Sequence, residues 1–177
     1  MTWPDRHGTQ VVQPAVTAPA TPVTPGTATT SPPDLTDRGS ATADELIAAI
    51  DTAVAAAQGR GAECIEVHRG GFLVTVQLAD GADVDVVVPS TGAAEVRHQR
   101  DDRDRTPSPL LNPDDIHKLV DVAREASAGA TLIELSTSDD PGEAFEAVAL
   151  RADGHQFEIS ITDAMVATVT DVEDSRD

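Results

Sequence analysis

An internal repeat constrains this chain more than any other feature. Gly61-Ala-Glu-Cys-Ile-Glu-Val67 matches Gly129-Ala-Thr-Leu-Ile-Glu-Leu135 at an offset of 68 residues. Phe72 to Val96 then matches Phe145 to Val169 without a gap, at an offset of 73. Both copies carry Ala-Asp-Gly, at 79–81 and 152–154, where a turn joins two strands. After that turn Val84, Val86 and Val88 alternate with Asp83, Asp85 and Val87, while Phe157, Ile159 and Ile161 alternate with Gln156, Glu158 and Ser160. Such period-two alternation predicts half-buried antiparallel strands. The five additional residues of the second copy fall around Ser138-Asp-Asp-Pro-Gly142, a loop, where insertion is tolerated.

Each copy opens on a helix. Thr42 followed by Glu45 is a capping box, and Leu46, Ile50, Ala53, Val54 and Ala57 recur at helical spacing until Gly59 and Gly61. Asn112-Pro113-Asp114-Asp115 supplies a cap, a first-turn proline and two acids at the positive end of the dipole. Ile116, Leu119, Val120 and Ala123 then form an apolar stripe that ends near Gly129. The fold class is therefore α+β: two repeats, each a helix plus a three- to four-stranded antiparallel meander, each helix covering its own sheet. The short last strands fall near Ala94–His98 and Ala167–Val172. The strand at Phe145–Leu150 carries apolar residues on both faces, which predicts a second cover supplied by the first copy or by a partner.

Outside the repeats the composition changes. Residues 1–42 hold seven of the twelve prolines and ten threonines, too little apolar area to offset the entropy of ordering, so a disordered tail is expected. That tail is a spacer or a modified Thr/Pro stalk, and its Trp3 a docking element or simply an exposed residue. Residues 43–98 form the first repeat, 99–112 a charged and Pro-rich linker, 113–172 the second repeat and 173–177 an acidic end.

The two copies resemble the PepSY domain. The pertinent phrases are GAECIEV, FLVTVQL, ADG and DVVVPSTGAAEV in the first copy, and GATLIEL, FEAVALR, ADG and FEISITDAMVATV in the second. Copy one keeps Thr91-Gly92 but has Pro89-Ser90 where the family carries an acid; copy two keeps Asp163 but has Ala164-Met165 in place of Thr-Gly. Domains of this kind occur in propeptides of thermolysin-type metallopeptidases and in cell-envelope proteins. The resemblance thus implies a non-catalytic, regulatory protein-binding module whose partner is an unidentified protein, a peptidase being one candidate.

The charge narrows the partners. A net charge of −19 repels phosphate backbones and anionic headgroups, and three Phe, one Trp and no Tyr leave little to stack on bases. Nucleic acid and membrane are therefore not expected as partners. The tail sums to −1, the first repeat to −6 and the second together with the acidic end to −12, which suits either solubility or a face, decoy or chaperone for a basic protein. One cysteine excludes an internal disulfide. No apolar run is long enough for a membrane span and Met1 to Arg6 begins no signal peptide. The compartment stays open between cytoplasm and, with a start further upstream, the cell envelope.

Catalytic motifs are lacking: no Gly-x-Ser-x-Gly, Walker loop or His-Glu-x-x-His occurs. Gly59-Arg-Gly61 follows a helix rather than a strand and reads as a helix stop. His98, His117 and His155 are scattered over surface positions. The one constellation with chemistry is Cys64, Glu66 and His68, alternating along one strand and so sharing a face. They could serve a metal- or thiol-dependent enzyme. Neighbours two apart on a strand lie about 7 Å from each other, which stretches a tetrahedral shell, and the second copy has Leu132, Glu134 and Ser136 there. Asp80, Asp83 and Asp85 flank a turn without the ordered oxygen loop of a calcium site and read as a solvated hairpin. No metal, cofactor or catalytic residue is expected.

Overall fold

The computed structural model describes residues 38–100 and 108–172. Most of the Thr/Pro tail, the middle of the linker and the acidic end at 173–177 lie outside the described residues.

The capping box at Thr42 starts α1, Ala43–Ala57: the Glu45 amide donates to Thr42 Oγ1, and the Thr42 amide donates back to Glu45 Oε2 at 2.8 Å. Leu46, Ala49, Ile50 and Ala53 form its buried stripe. Gln58, not a glycine, takes the left-handed position that ends the helix, with φ 54°. Gly59 is needed for a different reason. A Cβ there would lie 2.2 Å from Val76 Cγ1, so the chain passes too close to the sheet for any side chain.

Four consecutive strands follow: β1 (Gly61–His68), β2 (Gly71–Gln77), β3 (Asp83–Pro89) and β4 (Glu95–Arg100). The last of these runs into the stretch expected as linker. Leu110 and Leu111 then lead into α2, Pro113–Ala126, capped by Asn112 Oδ1, which accepts from the Asp114 amide. Four more strands complete the chain: β5 (Thr131–Thr137), β6 (Phe145–Leu150), β7 (Gln156–Ile161) and β8 (Ala167–Val172). The molecule is mixed helix and antiparallel sheet.

One sheet per helix is the point at which the expectation and the structure part. All eight strands form a single sheet in the order β4-β3-β2-β1-β5-β6-β7-β8. β1 and β5 meet antiparallel, with Cys64 opposite Ser136, Ile65 opposite Leu135 and Glu66 opposite Glu134. The physical reason is backbone satisfaction: two separate meanders would each leave the inner edge of β1 or β5 unpaired. Both helices lie on the same face and touch each other, α1 over β1–β4 and α2 over β5–β8. Between helices and sheet lies one continuous core, which includes Leu46, Ile65, Val74, Leu119, Leu135 and Ile159, each at most 1% exposed.

The first copy therefore continues the sheet beyond β5 and does not lie over β6. Val148 and Leu150, on the face away from the helices, are half-buried. No described helix is long and apolar enough to cross a membrane.

Candidate functional site

The face of the sheet opposite the helices carries the polar chemistry, and two bulges shape it. The ladder slips at Glu63 in β1 and at Ile133 in β5, so Cys64 and Glu66 point away from the core while Ile65 and Val67 point into it. The bulged Glu63 turns aside to accept a 2.7 Å hydrogen bond from Gln77 Nε2, and Gln77 Oε1 accepts in turn from Arg60. This buried polar chain, with the Leu111 amide donating to the Ala62 carbonyl at 2.7 Å, ties the linker end to the start of β1.

Cys64, Glu66 and His68 do share a strand, but their side chains divide between different partners. The Cys64 thiol donates toward Glu134 Oε1 across the β1–β5 join, at 3.8 Å. Glu66 Oε2 instead receives Arg38 at 2.9 Å and faces His68 Nε2 at 3.4 Å. Arg38 is brought there by the segment before α1, which forms a β-bridge to His68 and whose Gly39 amide donates to the Val67 carbonyl. Among the described residues no group of three or more His, Cys, Asp or Glu is placed to hold a metal ion. Burial, then the charges of Glu134 and Glu66, push the Cys64 thiol far above its ordinary range. It therefore remains a protonated thiol at neutral pH and a poor nucleophile.

The other expected positions are dispersed. His117 stands on the outer side of α2 with Nε2 3.3 Å from Asp44 of α1, and His155 is exposed at its hairpin turn. Asp80 closes its own turn by accepting from the Ala82 amide. Asp85 accepts from Thr75 at 3.3 Å. Asp83 differs from the solvated hairpin expected of it: it is buried at 3% exposure, in a ladder position between Gln77 of β2 and Arg100 of β4.

What the sequence did not disclose is a run of carboxylates across the second half of the sheet. Glu66, Glu134, Val148, Glu158 and Thr170 occupy one row of the ladder, and Ser136, Glu146, Ser160 and Thr168 the next. No described helix lies on this face. Burial, followed by Glu66 opposite it, raises the Glu134 carboxyl, and Arg38 only partly opposes this. Burial also raises Glu146, helped by Glu158, Glu143, Glu134 and Asp140. The signal that could have found this face is the pairing of β1 with β5, and no local pattern encodes it.

Those raised carboxyls set a pH dependence. A folded-state pKa above the unfolded one means the native state holds its proton more tightly. The associated stability is present below the ordinary carboxylate value of 4.5 and is lost as pH rises through the higher folded value. Glu134→Gln is therefore expected to stabilise the protein at neutral pH by roughly 0.2–1 kcal/mol, the range for like charges directly opposed across strands. Near pH 3, well below the ordinary carboxylate value, the gain should vanish, since the wild-type carboxyl is then protonated in both states. Urea melts of the two proteins across that interval test it; a gain equal at both ends would contradict the assignment.

Compared with protein families and with curated proteins, the sequence matches no family model and no curated protein.

Proposed function

We propose that this chain is a non-catalytic protein-binding module of two PepSY-like helix–meander units, and that the carboxylate-bearing sheet face receives a basic protein segment. The observation that carries this reading is the group of Glu134, Glu158 and, one row along, Glu146 on a face that no described helix covers. Two of the three carboxyls are held above their usual pKa by burial and then by neighbouring carboxylates, so a cation arriving there relieves the like-charge part of a cost already present in the free protein. Val148 and Leu150, half-buried beside them, offer apolar contact of the kind that a binding surface needs at its centre.

The two-unit reading is supported by the join itself. Glu66 and Glu134 are equivalent in the repeat and stand directly opposite each other, which is where a local two-fold axis relating two copies must pass. The resemblance to PepSY domains adds the narrower proposal that the basic segment belongs to a peptidase under regulation.

A short peptide alternating Lys and Val, titrated into the protein, tests the face. Replacing Glu134, Glu146 and Glu158 together by Gln should weaken binding by at least about tenfold, or ~1.4 kcal/mol. Neutralising Asp51, Asp121 and Glu125 on the helix exteriors removes the same charge and should leave affinity nearly unchanged. Affinity should also fall steeply with salt. Equal losses from both triple variants would mean net charge alone attracts the peptide, and the reading would fail.

A further inference from the structure

The single sheet leaves two open edges among the described residues, β4 on one side and β8 on the other. They differ in how they are protected. β4 carries Glu95, Arg97 and Arg100, and its ladder with β3 slips at Arg97. Charge and a bulge are devices by which sheet proteins blunt an edge. β8 lacks both of them. Its sequence Ala-Thr-Val-Thr-Asp-Val holds no Lys, Arg, Pro or Gly, and its ladder with β7 runs over six pairs without a slip. Val166, just before the strand, is 59% exposed and Val169 within it 38%.

The turn before β8 fixes which of its backbone groups face outward. The Thr162 amide donates to the Val166 carbonyl at 3.0 Å, and the Met165 amide donates to the Thr162 carbonyl at 2.8 Å. Bonded and unbonded pairs alternate along an antiparallel ladder. Counted from the bonded Thr162–Val166 pair, Ser160–Thr168 and Glu158–Thr170 are bonded pairs. Ala167, Val169 and Asp171 therefore turn their amides and carbonyls away from β7. Three donors and three acceptors stand in line along this edge, and no described strand pairs with them.

We propose that β8 pairs antiparallel with β8 of a second copy of this chain, about a two-fold axis through Val169. The edge is its own complement. Outward-facing residues must meet outward-facing residues, and centring the pair on Val169 keeps the whole strand in register. Val169 then meets Val169 of the copy, Thr168 meets Thr170, and Ala167 meets Asp171, so no like charges stand opposed. Val169 lies opposite the core residue Ile159 in the ladder, so its counterpart covers apolar surface at the margin of the core. The join between β1 and β5 is the same arrangement within one chain: equivalent strands, antiparallel, edge to edge. A second copy supplies this complement by symmetry, whereas an unrelated strand has to match it residue by residue. This edge is separate from the carboxylate face and does not depend on the binding proposed there.

Two chains at −19 repel each other, so salt should strengthen this dimer, the reverse of its effect on a basic peptide at the acidic face. Sedimentation equilibrium of the full chain, at low salt and at about 0.5 M, is the test. An edge of six residues is a small interface, so a reversible dimer with a Kd of roughly 0.1–1 mM is expected, tighter at high salt. Val169→Lys should weaken it by at least about tenfold, because an apolar pair is lost and like charges meet at the axis, even though the net negative charge falls. Val96→Lys, on the β4 edge, makes the same change of charge and should leave the dimer at least as strong. If Val169→Lys fails to fold, amide exchange of the unaltered protein decides. Protection of Ala167, Val169 and Asp171 should rise with protein concentration, while Thr168 and Thr170, bonded within the chain, stay protected throughout. A monomer at ~2 mM in high salt would overturn the proposal. So would a dimer indifferent to Val169→Lys, or concentration-dependent protection at β4 in place of β8.

Discussion

Leu135→Ala is expected to destabilise the whole molecule by about 2–5 kcal/mol, the range for emptying a fully buried leucine site. Leu135 has no exposed surface and stands opposite Ile65, equally inaccessible, at the join between β1 and β5. Both helices touch each other above one continuous core, so the cavity cannot close by the collapse of one half without disturbing the other. Total stabilities of small proteins lie at roughly 5–15 kcal/mol, so such a loss would bring this protein near its threshold. Ile65→Ala should act similarly. The double variant should depart from additivity by at least about 0.5 kcal/mol, because the two side chains share one site. Circular dichroism for the helices and amide exchange for the strands should report a single transition in each variant. Loss of protection confined to β5–β8 would show that the halves melt separately.

Dividing the chain should have a larger effect still. Residues 38–100 and 108–177, expressed separately, are each expected to lack a cooperative melt as monomers. A unit of about 60 residues buries only about 60% of its chain surface, and neither half has a disulfide in compensation. Each would also expose the inner edge of β1 or β5 with its unpaired amides and carbonyls, together with Ile65 or Leu135. Mixing the halves should restore the ordered sheet, since the join is made of backbone pairing and apolar contact that need no covalent link. Two halves that melt as high as the parent, with its transition simply their sum, would make the units independent and the single sheet incidental.

Much of this architecture was legible in the residues. Val84 and Val86, and Ile159 and Ile161, alternate into the core as their period implies. Thr42 and Asn112 cap their helices because a short polar side chain before an apolar stripe has few other uses. Ile116, Leu119, Val120 and Ala123 are the buried residues of α2. The shared face of Cys64 and Glu66 was also readable from alternation alone.

The remainder depended on contacts between residues some seventy positions apart. The β1–β5 ladder is backbone pairing, for which side-chain sequence gives no register until both strands are placed. Without it, Glu134 could not be known as the neighbour of Cys64, nor the carboxylate rows as rows. The bulges at Glu63 and Ile133 have no local signature either, and the first places a glutamate among buried polar partners. The two-sided apolar character of β6 led to the expectation of a second cover from the first copy or a partner. Its expected cover did not materialise from the first copy, because completing the sheet edge satisfied more backbone than stacking would have done.

The central claim is the location of binding, and amide chemical-shift mapping on the isotopically labelled full chain tests it most directly. Titration with the Lys/Val peptide should perturb Glu134, Glu146, Val148, Glu158 and Ser160 and leave the exteriors of α1 and α2 unchanged. Shifts concentrated on the helices, or spread evenly over every acidic position, would contradict the account.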